Sequence, residues 1–115
     1  MEQRAILIVD DESDIRESLE DALSDEGYLV FSAANGREAL DLLPRVPRPC
    51  AVILDIIMPV MSGTELYQAL QASPALSDIP VLVSTSDPAR APIRLPLVRK
   101  PVDLDRLLKA VAGLF

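Results

Sequence analysis

At 115 residues and 50% hydrophobic content, the chain has the size of one ordinary domain and enough apolar mass for a core without disulfides or structural metal. Its formal charge of -7, from 11 basic and 18 acidic residues, repels a phosphate backbone and argues against direct nucleic-acid binding. With 1 cysteine and 0 histidines, the thiolate and imidazole routes to zinc are closed, and Cys50 reads as a small buried residue.

The first apolar run, Ala5 to Val9, is too short for a signal peptide or a membrane span. No membrane association is expected, and the cytoplasm is the expected location. The run is also too continuous for a half-exposed strand and suits a central parallel one. It ends in Asp10, Asp11 and Glu12. Ile15, Leu19, Ala22 and Leu23 then keep helical spacing, with Ser13 or Asp14 as the expected cap and Gly27 as the stop.

Leu29 to Ala33 reads as a second strand. Asn35 with Glu38 caps a helix carrying Ala39, Leu40 and Leu43, which Pro44 ends, and Pro44 to Pro49 is a connector. Ala51 to Leu54 is a third strand and leads directly into Asp55. Ser62 and Glu65 have capping-box spacing for a helix with Leu66, Tyr67 and Leu70, and Pro74 lies just past its end. Val81 to Val83 is a fourth strand run, followed by Thr85. From Ser86 to Pro96, prolines at 88, 92 and 96 leave room for a turn or one helical turn. Leu104, Leu107, Leu108 and Val111 form the clearest apolar stripe, on a last helix that follows Lys100 and Pro101.

Alternating strands and helices imply an α/β fold: a doubly wound parallel sheet with right-handed crossovers and helices on both faces, and with ligands at the carboxyl ends of the strands. That rim collects Asp10, Asp11 and Asp55. Crowded carboxylates repel one another unless a cation joins them, and magnesium suits hard oxygen ligands. An Asp-Asp pair after a strand is by itself most often a solvated strand end. A lysine before proline is usually a surface charge, and a threonine after a strand is often a turn residue. The weight comes from their conjunction at four strand ends.

In Ile6 to Glu12 (ILIVDDE), in Leu54 to Gly63 (LDIIMPVMSG), and at Thr85 and Lys100-Pro101, the chain resembles the response-regulator receiver family of two-component signalling. The resemblance runs along the whole chain, so residues 1–115 read as one receiver domain. It implies five parallel strands in the flavodoxin-like order 2-1-3-4-5. It implies that Asp55 accepts a phosphoryl group from a sensor histidine kinase, a histidine phosphotransfer protein or a small acyl phosphate. Mg2+ would be held directly by Asp11 and Asp55, through water by Asp10, and by the backbone carbonyl of Ile57. Lys100 and the Thr85 hydroxyl would contact phosphoryl oxygens, with the backbone amides of Ile56 and Ser86 serving the rest. Pro59 and Gly63 would shape the loop after Asp55.

Two departures from the family pattern stand out. Leu97 occupies the place of the usual aromatic switch residue, and the interval from Thr85 to Lys100 is short, so the fourth helix is expected to be reduced or missing. Arg90, Arg94 and Arg99 fall in or beside this segment, as a solvated face or, in a sharper reading, as a dock for an acidic partner. With no effector region before Phe115, the expected role is a stand-alone receiver that switches contacts with a downstream protein the sequence does not identify. A receiver that no longer cycles by phosphorylation, serving as an adaptor, is the second reading. A magnesium-dependent phosphohydrolase is the third, weakened because Asp10 is followed by Asp11 and Glu12 rather than by an aspartate two places on. A nucleotide or flavin carrier is weaker still, since no glycine-rich loop follows the first strand.

Overall fold

The computed structural model describes residues 3–91 and 95–115. In chain order it forms β1 (Ala5–Val9), α1 (Ser13–Asp25), β2 (Leu29–Ala33), α2 (Gly36–Leu42), β3 (Ala51–Leu54), α3 (Gly63–Ala72), β4 (Val81–Thr85), β5 (Leu97–Arg99) and α4 (Leu104–Ala112). Every strand pairing is parallel, and the order is β2-β1-β3-β4-β5.

The strands read as continuous apolar runs because helices cover both faces of the sheet. Strand alternation sends Leu7, Val9, Val52 and Leu54 toward Leu66 and Leu70 of α3. It sends Ile6, Ile8 and Ile53 toward Leu19 and Leu23 of α1 and Leu107 and Val111 of α4. Each of these side chains is essentially out of solvent, a burial worth about 1.5–3 kcal/mol apiece. The two layers clamp the sheet and hold its carboxyl rim in place.

The local signals produce the expected stops. Asn35 accepts from the Glu38 amide at 2.9 Å, and the helix ends before Pro44, continuing only as a 3-10 turn over Leu43–Arg45. Ser62 and Glu65 form a reciprocal capping box. Among the described residues between β4 and β5, the place of a fourth helix holds a single 3-10 turn, Pro88–Arg90. Arg90 there pairs with Asp87 at 3.2 Å, Arg99 is exposed on β5, and Arg94 lies outside the described residues.

Four details differ from the sequence reading. The cap of α1 is Glu12 rather than Ser13 or Asp14, and no side chain caps it; the helical frame starts early because Arg16 N–H reaches the Glu12 carbonyl at 3.1 Å. Cys50 is only partly buried, since it sits just ahead of β3 at the uncovered amino edge of the sheet. β4 runs on through Ser84 and Thr85, because the ladder to β5 continues to the Thr85–Arg99 pair despite the polar side chains. Leu104 is 38% exposed, as it opens the first turn of α4 at the rim.

Candidate functional site

Adjacency of β1 and β3 builds the centre of the site. Val9 pairs with Leu54, and the Asp55 amide donates to the Val9 carbonyl at 2.9 Å, so Asp10 and Asp55 leave neighbouring strand ends side by side. Both are buried, at 2% and 4% exposure, whereas Asp11 is exposed in the loop beyond. One carboxylate oxygen from each of Asp10, Asp11 and Asp55 lies within 4.8 Å of the other two.

Lys100 supplies the counter-charge. Its amide donates to the Thr85 carbonyl at 3.0 Å, which fixes it at the end of β5. From there its side chain crosses the ends of β4 and β3 and places Nζ 2.9 Å from Asp10 Oδ2, 3.3 Å from Asp55 Oδ2 and 3.4 Å from Glu12 Oε2. Burial, and next the Asp10 charge, push the Asp55 carboxyl up from 3.8 to about 6, against the pull of Lys100. Burial pulls the Lys100 ammonium down, but its hydrogen bond and charge contact with Asp10, helped by Asp55 and Glu12, raise it overall. Lys100 therefore stays charged, and Asp55 ionises only near neutrality.

The β3–α3 loop completes the surroundings. Gly63 N–H donates to the Ile56 carbonyl at 2.9 Å, and a Cβ on Gly63 would sit 2.0 Å from the Asp55 carbonyl oxygen. Only glycine allows α3 to start this close to the site. Val60, 80% exposed, has φ of +68°, a left-handed conformation that a β-branched residue adopts only under strain. Val60→Asn is accordingly expected to raise stability by about 1 kcal/mol in urea unfolding; no gain would show that the loop carries no such strain.

The sequence-predicted residues are placed unevenly. Asp11, Asp55, Ile57, Ser86 and Lys100 line one open cleft of about 540 Å³, with Asp10 just beneath. Thr85 is fully buried and does not line the cleft; its Oγ1 accepts the Asp87 amide at 3.1 Å. The Ile57 amide, at 3.4 Å, donates to Asp55 Oδ1, and the Ile56 side chain is buried. Two contributors were not singled out from the sequence. Glu12 touches Lys100, and its place in the Asp10-Asp11-Glu12 run was the available signal. The Arg16 guanidinium donates to the Asp10 carbonyl at 2.7 Å, a contact that helical spacing alone does not reveal.

The donor set fits a hard divalent cation. It offers carboxylate oxygens from two buried aspartates and one exposed aspartate at an open cleft, and the Lys100 ammonium already shows that positive charge is held there.

Comparison with known proteins agrees with this geometry. Residues 6–112 match the family model described as response regulator receiver domain. Response regulator MprA of Mycolicibacterium vanbaalenii is 47% identical over 81 residues, covering 70% of this chain and 34% of that protein. The chain thus spans about a third of the length of the curated relatives it matches. The fold is similar to chemotaxis protein CheY4 of Vibrio cholerae, with a TM-score of 0.89 at 30% identity over 99% of this chain and 100% of that one. It is also similar to response regulator TrrA of Thermotoga maritima, solved with Mg2+-BeF, with a TM-score of 0.85 at 32% identity over 98% and 100% of the two chains.

Proposed function

The chain belongs to the response regulator receiver family, and on that premise we propose that Asp55 is its phosphoacceptor. The observation that carries this reading is the meeting of Asp10, Asp11 and Asp55 within 4.8 Å, with the Lys100 ammonium 3.3 Å from Asp55. The chemistry is a receiver's own phosphorylation and dephosphorylation, rather than turnover of a phosphoester.

An Asp55 carboxylate oxygen attacks phosphorus on a phosphohistidine of a sensor histidine kinase or phosphotransfer protein, or on a small acyl phosphate. The new O–P bond forms as the bond to the donor breaks, and the donor leaves with its electron pair. Asp11 and Asp55 would hold magnesium directly, Asp10 through water, with the Ile57 carbonyl as a further ligand. Bound there, magnesium offsets negative charge on the transferred group. Lys100 turns from its carboxylates toward a phosphoryl oxygen. Thr85 receives the Asp87 amide on its oxygen, which leaves its own hydrogen to donate to a second phosphoryl oxygen. The Ile56 and Ser86 amides serve the remaining positions.

Output is a change in protein contacts. Among the described residues no helix is long and apolar enough to cross a membrane, and the proposed setting is the cytoplasm. Leu97, partly buried, stands in place of an aromatic switch residue.

Ile57 is 44% exposed at the cleft, where an apolar side chain does not orient an attacking water. Phosphorylated native protein is therefore expected to decay several-fold more slowly than Ile57→Asn or Ile57→Glu, followed by intact mass after treatment with phosphoramidate. Equal or faster decay of the native protein would remove this role for Ile57. Failure of the native chain to acquire any phosphoryl group would remove the phosphoacceptor reading itself.

A further inference from the structure

The residue before Thr85 carries a polar group that the chemistry above leaves unused. Asp10, Asp55, Ser84 and Thr85 are buried together at the rim, and three of them have partners. Asp10 and Asp55 receive the Lys100 ammonium, and Thr85 Oγ1 accepts the Asp87 amide. Ser84 is 1% exposed, and its Oγ is the one buried side-chain polar atom among the described residues with no hydrogen-bond partner. A hydroxyl buried without a partner opposes folding, and beside a reacting group it stands ready for any acceptor that comes free.

Strand register sets Ser84 beside the phosphoacceptor. Val9 pairs with Leu54, and Leu54 with Val83, so Asp10, Asp55 and Ser84 follow one another in the next row across the sheet. Ile8, Ile53, Leu82 and Val98 all point into the layer formed with α1 and α4. Two residues further along each strand, Asp10, Asp55, Ser84 and Lys100 return to that side. Neighbouring strands lie about 4.8 Å apart, which brings a serine hydroxyl on β4 within reach of the carboxylate just beyond β3. Lys100 starts from the end of β5, so its stem crosses β4 for Nζ to reach Asp55 and Asp10. Its ammonium faces Asp10, Asp55 and Glu12 at 2.9, 3.3 and 3.4 Å, which uses its three hydrogens and fills Asp55 Oδ2. The other Asp55 oxygen has the Ile57 amide, at 3.4 Å.

Resting on the phosphoacceptor reading, we propose that Ser84 is a positioning residue for Asp55: when Lys100 turns to a phosphoryl oxygen, the Ser84 hydroxyl donates to the Asp55 carboxylate in its place. Without that exchange, the departing ammonium leaves the carboxylate with one long contact, free to rotate at the moment of attack. With it, the nucleophile stays aligned. No proton changes hands, and Lys100 keeps its charge for the phosphoryl group. The hydroxyl is unpaired in the resting chain and paired in the reacting one, which makes the movement of Lys100 less costly.

Two pairs of near-equal shape isolate the hydroxyl: the native chain with Ser84→Ala, and Ser84→Thr with Ser84→Val. With phosphoramidate and saturating magnesium, intact mass is expected to show uptake slower by about fivefold or more in Ser84→Ala, and slower in Ser84→Val than in Ser84→Thr. The magnesium concentration giving half the maximal rate should not move, since Ser84 holds no metal. A second measurement needs neither magnesium nor donor. In urea unfolding, Ser84→Ala should have a midpoint equal to or above that of the native chain, because the resting hydroxyl has no partner to lose. Lys100→Met keeps the stem and removes the ammonium, which opens Asp55 to Ser84 at rest; in that background Ser84→Ala should lower the midpoint. Equal effects of Ser84→Ala in the two backgrounds would overturn the proposal, and so would a lowered midpoint with Lys100 in place. Native-like uptake by Ser84→Ala would remove the role of Ser84 alone, whereas a native chain that takes up no phosphoryl group would overturn the Asp55 reading beneath it.

Discussion

Gly63→Ala is expected to lower folding stability by about 3 kcal/mol or more and to disrupt the phosphorylation site in the same step. The new Cβ would fall 2.0 Å from the Asp55 carbonyl oxygen and 2.8 Å from both the Asp55 carbonyl carbon and Ile56 Cα. All three obstacles are backbone atoms just beyond the end of a central strand, so no rotamer change relieves the overlap. Relief requires α3 to withdraw or the peptide after β3 to move, and that peptide carries the phosphoacceptor. Gly36 provides the comparison: its Cβ would meet the Met61 side chain at 2.7 Å, and a flexible thioether can yield. In urea unfolding Gly63→Ala should therefore lose clearly more than Gly36→Ala. Similar losses, or a loss at Gly63 below about 1 kcal/mol, would contradict the close approach described above.

Asp55→Asn is expected to abolish phosphoryl uptake and, in the absence of magnesium, to make the protein more stable at neutral pH. The folded carboxyl titrates near 6, against 3.8 as its ordinary value. The native state thus holds more protons than the unfolded chain between those values, and stability falls as pH rises through that window and levels off above it. At pH 7 the ionised group costs about 3 kcal/mol, part of which the asparagine would forfeit again through its weaker contact with Lys100. A gain of about 1–3 kcal/mol at pH 7 should shrink toward zero below the ordinary carboxylate range, where Asp55 is protonated whether the chain is folded or not. Magnesium should stabilise the native protein more than the variant, because cation binding adds to folding only where the ligands are present. Thermal unfolding across pH measures both effects. A destabilised variant at pH 7, or a gain indifferent to pH, would show that Asp55 is not held against its charge.

Much of this site was legible in the residues because strand ends converge in a parallel sheet. Once Ala5–Val9 and Ala51–Leu54 read as central strands, the aspartates that follow them had to meet at one rim. Asn35, Ser62 and Glu65 marked helix starts because their side chains cap locally, and local chemistry is what a sequence displays. The α1 cap was displaced because its frame is set by a backbone bond from Arg16 to Glu12, which has no side-chain signature. Cys50 was misplaced because burial at a strand's amino edge depends on what covers it. Likewise Glu12 and Arg16 find Lys100 and the Asp10 carbonyl through the closure of the β1–α1 turn.

The reading turns on the chemistry of Asp55. Its most direct test is the intact mass of the purified protein after incubation with acetyl phosphate, with and without magnesium, for the native chain and Asp55→Asn. A phosphoryl adduct that forms only on the native chain and only with magnesium is the expected result. No adduct on a folded native protein that binds magnesium, or an equal adduct on Asp55→Asn, would contradict it.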